Sequence, residues 1–467
     1  MTSEFINKVR NQEIDIAEHT EKALEKVKRI DSEYHYMNTI SEDLAREGAK
    51  HVKAIGEGVL AGTAVSIKDC ICVKGVESTA GSKILEGYRP VFDATVVQRI
   101  KKEGGIIIGK TAQDEFGFGS FSVNVGIGKE TPLNPLDKER VCGGSSGGSA
   151  GLVRKADFPH ISLAESTGGS IVAPASFCGV VGLCPTYGRV SRHGLIDYAN
   201  SLDKIGPIAK TTMQAALMLE IIAGHDPDES TSLKRPVDPY TDHVGRDIKG
   251  MKLGVIRRAF GEGTDDEVTR KVKDAISRLE DAGAEAHEVS LPMASEYAVP
   301  CYYLIAMCET STNLAKLCGM RYGRHESLEG GFNEYFSKVR ELNFGKEAKR
   351  RIILGTFARM AGCRDAYYIK ALKVRSRIIQ EYKKTLKQMD VLVSPTMPFT
   401  APRFRDVEKL TPLQNYMSDI LTAGPNVAGL PHISIPCGKA GGMPAGLMAI
   451  GDHLQESKLI QLGSALE

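Results

Sequence analysis

From about residue 57 onward, short runs rich in β-branched residues alternate with longer stretches whose apolar positions return every three or four residues. The short runs read as buried strands, and the longer period as helices packed by one face. Ala64-Val65-Ser66-Ile67 predicts a strand, Thr95 to Glu103 a helix, and Ile106-Ile107-Ile108 a second buried strand. Further strands are expected at 252–256, 389–393, 432–435 and 446–450, with helices near 265–283, 300–317, 365–387 and 455–466. Residues 1–56 are charged, and their apolar spacing predicts two helices, Glu13 to Arg29 and about Ser41 to Ala54. This alternation predicts a layered α/β domain with a largely buried sheet.

Two stretches break the pattern. Residues 140–210 are rich in Gly and Ser, yet Ile161, Leu163, Ile171, Val180 and Val181 run through them. A flexible linker would not carry so many apolar residues, so this stretch reads as folded backbone making tight turns. Residues 226–250 are polar and contain Pro227 and Pro239, which makes them the best place for an internal boundary or a surface excursion.

Composition adds mainly exclusions. The apolar (42%) and charged (25%) fractions are those of an ordinary globular protein. A net charge of +2 marks no surface built to hold phosphate backbones unaided, so any nucleic acid is expected to be held by a partner. Ten cysteines form no CxxC pair and no Cys/His cluster at zinc spacing; buried thiols in a reducing compartment, and no metal site, are expected. No apolar run approaches the roughly 20 residues that span a bilayer; Ala215 to Ala223 comes nearest and Glu220 interrupts it. Met1-Thr2-Ser3-Glu4-Phe5 lacks the basic-then-apolar pattern of a signal peptide. A cytoplasmic protein without membrane contact is expected.

Four motifs compete for the chemistry. Gly104-Gly105-Ile106-Ile107-Ile108-Gly109-Lys110-Thr111 matches a phosphate-binding loop in form, but its interior is itself a strand and a helix precedes it, so Lys110 reads as structural. Gly143-Gly144-Ser145-Ser146-Gly147 matches a hydrolase elbow in form, but Leu136 to Arg140 is not the apolar strand that an elbow requires. In Ser166-Thr167-Gly168-Gly169-Ser170, two glycines free the backbone to point N–H groups into one pocket beside a hydroxyl nucleophile. Lys68, in Ser66-Ile67-Lys68-Asp69, ends an apolar strand; to act as a base it must be buried enough to be neutral.

Taken in order, these pieces resemble the amidase signature family: a strand-end lysine, a Gly-Gly-Ser-Ser-Gly-Gly loop, then Thr-Gly-Gly-Ser-Ile. The resemblance continues through Pro174 to Leu183 and Pro185 to Ser191, and runs from about residue 55 to 467. It implies an amidase-signature layered α/β fold, a mixed, largely buried central sheet covered by helices on both faces. Residues 1–56 would be a helical segment packed on the core and 57–467 the catalytic domain. It further implies Ser170 as the acyl-forming nucleophile, and Ser145, after a cis bond from Gly144, as the bridging serine. Lys68 would be the neutral terminal base, and Thr167, Gly168 and Gly169 the donors to the oxyanion. The chemistry is self-consistent: Ser170 loses its proton to Ser145, which passes its own to Lys68.

The segments 300–306, 309–315, 321–323 and 345–352 are similar to the A subunits of tRNA-dependent amidotransferases, a branch of that family. The likeness implies glutamine as substrate, with Tyr302, Arg351 and Asp419 contacting it. Arg351 would grip the α-carboxylate, Asp419 the α-ammonium, and Tyr302 would wall the pocket. It also implies a B subunit that binds tRNA and uses ATP and Mg, a small C subunit, and no cofactor in this chain. The alternatives are a stand-alone amidase and a non-catalytic scaffold subunit. The resemblance is broken where Ser166 replaces a usual aspartate, Val172 a usual arginine and Cys184 a usual lysine.

Overall fold

The computed structural model describes residues 2–11, 13–55 and 58–467. Among them, eleven strands make one sheet. These are β1 Met37–Ile40, β2 Ala64–Lys68, β3 Ile106–Thr111, β4 His160–Ser166, β5 Val181–Cys184, β6 Lys204–Ala209, β7 Lys252–Ile256, β8 Glu285–Val289, β9 Val391–Pro395, β10 His432–Ala440 and β11 Met443–Ile450. Their spatial order is β1-β3-β2-β4-β6-β5-β10-β11-β9-β7-β8. β2 runs parallel to both β3 and β4, and β7 parallel to β8 and β9, while the remaining pairs are antiparallel. The sheet is therefore mixed, as expected, and helices flank it.

The chain fills the sheet in two blocks. β1–β6 form one side and β7–β11 the other, joined where β5 pairs with β10 (Cys184 opposite His432 to Gly182 opposite Ser434). The polar stretch 226–250 carries the chain from the first block to the second. It is more than a surface excursion, because Tyr240 is fully buried and accepts a 2.7 Å hydrogen bond from Arg189 Nε.

The strands legible as apolar runs, β2 and β3, are buried along their whole length. β4 is buried throughout too, although its sequence alternates polar and apolar residues. Two of its polar positions find partners on β2: Ser162 accepts from Ser66 Oγ at 2.9 Å, and Glu165 from Lys68 Nζ. β8, at an edge, keeps charged and partly exposed side chains, which discourages further strand pairing.

The N-terminal segment holds helices Ile16–Tyr34 and Glu42–Ile55, packed on each other, with β1 between them adding an unexpected strand to the sheet edge. A helix that the sequence did not suggest, Thr2–Arg10, comes first, and the next starts at Ile16 rather than Glu13 because Asp15 caps it, accepting from Ala17 N at 2.8 Å. The boundary expected at 56–57 lies outside the described residues. The helix expected from residue 300 spans Pro292–Asn313, with Pro292 in its first turn and Pro300 tolerated inside it. The expected 365–387 helix opens with a wider π turn, Asp365–Ile369, before Lys370–Leu386. Among the described residues no helix is long and apolar enough to cross a membrane. All ten cysteines are free thiols, Cys318 and Cys363 being partly exposed and the others buried.

Candidate active site

Lys68 ends β2 with no exposed surface. The neighbouring β4 lies parallel to it, which brings the ends of both strands to one place. Lys68 Nζ lies 2.7 Å from Ser145 Oγ, 2.9 Å from the Glu165 carbonyl oxygen and 2.9 Å from Glu165 Oε2. Ser145 stands at the end of a glycine loop leading into helix Gly147–Lys155, and its peptide bond from Gly144 is cis. A side chain at Gly144 would put its Cβ 2.2 Å from Asp114 Oδ2, so only glycine fits there. Lys110, by contrast, is wholly buried and donates to Ser78 Oγ at 2.6 Å and to the Asp69 carbonyl at 3.2 Å, which is the structural role expected of it.

Ser170 follows the turn after β4, just before helix Val172–Cys178, and retains slight exposure (6%). The two glycines before it are needed for a reason other than the one the sequence suggested. Neither occupies the left-handed backbone region; instead, a Cβ on Gly168 would lie 2.4 Å from Tyr302 Cζ, and one on Gly169 would lie 2.5 Å from Thr422 Oγ1. Their smallness lets the far side of the pocket close down on the nucleophile loop. The amides of Thr167, Gly168, Gly169 and Ser170 make no hydrogen bond to the described residues, so they are free to meet an oxyanion.

A small cavity brings together Gly168, Gly169, Ser170, Tyr302, Arg351 and Asp419. Tyr302 lies on helix Pro292–Asn313 and Arg351 on helix Lys346–Arg359, while Asp419 follows helix Pro412–Met417. The Arg351 guanidinium donates from Nε to Glu347 Oε1 at 2.8 Å and from Nη1 to the Tyr198 hydroxyl. Phe118, Tyr198, Tyr303 and Tyr416 ring it at 5.0–5.6 Å from their centroids. This cage fixes the cation while leaving Nη2 uncommitted among the described residues and open to a carboxylate. Asp419 accepts a 2.6 Å hydrogen bond from the Tyr303 hydroxyl. Burial pushes its carboxyl up to about 6, against the opposing pull of Tyr303, Ser120 and Arg351.

The sequence points to Tyr302 but not to its neighbour Tyr303, which orients Asp419. Nor does it single out Glu347 and Tyr198, which orient Arg351. The larger omission is acidic. Glu165 contacts Lys68, and Thr167 Oγ1 lies 2.7 Å from both Glu165 Oε1 and Asp203 Oδ1. The available signal was the missing aspartate at Ser166. The acid stands one residue earlier, and because neighbouring strand residues point to opposite faces, it is turned toward Lys68. Ser166 is left buried with no partner for its hydroxyl among the described residues, and Val172 is buried apolar. Among the described residues no group of three or more His, Cys, Asp or Glu is arranged to hold a metal ion.

Residues 18–460 match the protein family described as Amidase. The A subunit of the glutamyl-tRNA(Gln) amidotransferase of Koribacter versatilis is 48% identical over 449 residues, covering 95% of this chain and 92% of that one. The protein of the same name from Thermoanaerobacter pseudethanolicus is 44% identical, over 98% of this chain and 94% of its own. The crystal structure of the corresponding glutamyl-tRNA(Gln) amidotransferase A subunit from Thermotoga maritima superposes with a TM-score of 0.81 at 36% identity, over 99% of this chain and 94% of that one.

Proposed function

From the premise that this chain belongs to the amidase family, we propose that it hydrolyses glutamine as the A subunit of a glutamyl-tRNA(Gln) amidotransferase. The single observation carrying the reading is the cavity that places Ser170 beside an arginine and an aspartate suited to the two charged ends of an α-amino acid. A non-amino-acid amidase has no use for that clamp.

Ser170 attacks the side-chain amide carbon and passes its proton to Ser145, which hands its own to Lys68. The developing oxyanion meets the amides of the run from Thr167 to Ser170. Lys68 returns the proton, through Ser145, to the departing nitrogen; ammonia leaves and a Ser170 glutamyl ester remains. Water then attacks the ester by the same relay, releasing glutamate. Arg351 holds the α-carboxylate, Asp419 the α-ammonium, and Tyr302 closes the wall over Gly168.

The family likeness supports a cytoplasmic setting with several different subunits. In it a B subunit binds the misacylated tRNA and uses ATP and Mg to activate its aminoacyl group, with a small C subunit beside it. Asp-tRNA(Asn) as a second acceptor would also be the partner's choice. The test is glutamate release from glutamine by the purified chain, alone and co-expressed with its B-like partner. Ser170→Ala is expected to lower kcat by at least about 10³-fold at an unchanged melting temperature. Undiminished release from that variant, or none from the native protein in either setting, sinks the reading.

A further inference from the structure

The hydrogen-bond stoichiometry behind Lys68 demands a proton that the three-residue relay does not contain. Thr167 has one hydroxyl hydrogen, yet its oxygen lies 2.7 Å from a carboxyl oxygen of Glu165 and 2.7 Å from one of Asp203. An ionised carboxylate only accepts, so one of the two acids must donate to Thr167. Glu165 Oε2 lies 2.9 Å from Lys68 Nζ, where a positive charge forms each time Ser145 delivers its proton, and that buried cation opposite a neutral acid would be costly. Asp203 Oδ2 already accepts from the Tyr198 and Ala199 amides, both at 2.9 Å, which leaves Oδ1 to bear the hydrogen. Burial, and then the charge of Glu165, push the Asp203 carboxyl well above the ordinary range.

We propose that Glu165, Thr167 and Asp203 form a hydrogen-bonded support behind Lys68, in which a proton resident on Asp203 fixes Glu165 as the ionised counter-ion of the lysine. This rests on Lys68 being the terminal base. Neutral Lys68 has two N–H bonds, and the carbonyl and carboxylate of Glu165 take both, which aims the nitrogen lone pair at Ser145 Oγ. When Ser145 delivers its proton, the new ammonium forms against a carboxylate already in place. The Asp203 proton does not move. Glu165 and Asp203 are thus positioning residues. The other titratable or charged groups around them are Cys70 beyond β2, Asp114 beyond β3, Cys184 on β5, and Arg192, Asp197 and Tyr198 before β6.

The test is the pH profile of kcat/KM for glutamine in Glu165→Gln and Asp203→Asn, with circular dichroism melts to confirm folding. Removing the Glu165 charge disfavours protonated Lys68, so the acid limb is expected to move down by about 1–3 pH units, with KM unchanged. The amide introduced by Asp203→Asn can donate to Thr167 and accept both backbone amides just as the protonated acid does, so the acid limb of that variant is expected to stay in place. An unmoved limb in Glu165→Gln, or a matching shift in Asp203→Asn, overturns the proposal. An infrared difference spectrum, native minus Asp203→Asn, gives a readout independent of turnover. At about pH 8 Asp114 and Asp419, pushed up to about 6, are ionised. A protonated-carboxyl band is expected there, and carboxylate bands in its place refute the assignment. A native protein inactive on glutamine would sink the proposed function while leaving this spectrum decisive.

Discussion

Single residues in this site work through what they exclude as much as through what they touch. Asp419 is useful to a substrate ammonium only when ionised, and burial holds its carboxyl at about 6. As pH falls through that value the charge is lost, so KM for glutamine is expected to rise below about pH 6 while kcat changes less. Losing a charge-assisted hydrogen bond of about 1.5–3 kcal/mol corresponds to roughly a 10- to 100-fold change. Asp419→Asn should show the raised KM at every pH, and steady-state kinetics across the range checks both. The same scale shows how charge has been rearranged. The lysine that the family resemblance places at 184 is absent, and Lys204 is buried against Cys184, donating to the Leu430 carbonyl at 3.2 Å. Burial pushes that ammonium down from its ordinary value, with the neighbouring Cys184 opposing.

At the scale of elements, the turn after β4 meets helix Pro292–Asn313 at Gly168 and Thr422 at Gly169 so closely that both glycines are obligatory. Gly168→Ala would place a methyl carbon 2.4 Å from the Tyr302 ring. A displacement of about 1 Å at the reacting centre costs on the order of 10²-fold, so kcat/KM is expected to fall by that factor with little change in melting temperature. Kinetics paired with a thermal melt tests it, and near-native turnover would refute it. What was legible in the sequence follows from how each element is buried. β2 and β3 are apolar runs and could be read directly. β4 is equally buried, but Ser162 and Glu165 find partners on β2, a fact invisible without the pairing. The Lys68, Ser145 and Ser170 order was legible because the strand-end motif around Lys68 and the glycine motifs around the two serines are local. Glu165 and Asp203 were not, because their roles come from Thr167 standing between them, across segments far apart in the chain.

At the scale of the whole molecule, the two-block sheet separates tasks. Lys68, Ser145 and Ser170 all come from the first block, and Tyr302, Arg351 and Asp419 all from the second. The blocks meet along β5 and β10, while the connecting segment passes through exposed residues 234–237. A protease site engineered there should be cleavable without separating the pieces. Gel filtration is expected to show one species that keeps its amide hydrolysis, whereas pieces expressed singly should be inactive. Co-elution with lost activity, or separation on cleavage, would contradict this.

That partition bears on descent. Selection for a new amide can act on codons 292–422 and leave the proposed hydrolytic residues untouched, since the three proposed substrate contacts occupy one contiguous stretch of the gene, with Phe118 and Tyr198 of the Arg351 cage outside it. Specificity can therefore drift, or be exchanged by recombination at a single crossover, without passing through ancestors that have lost the reaction.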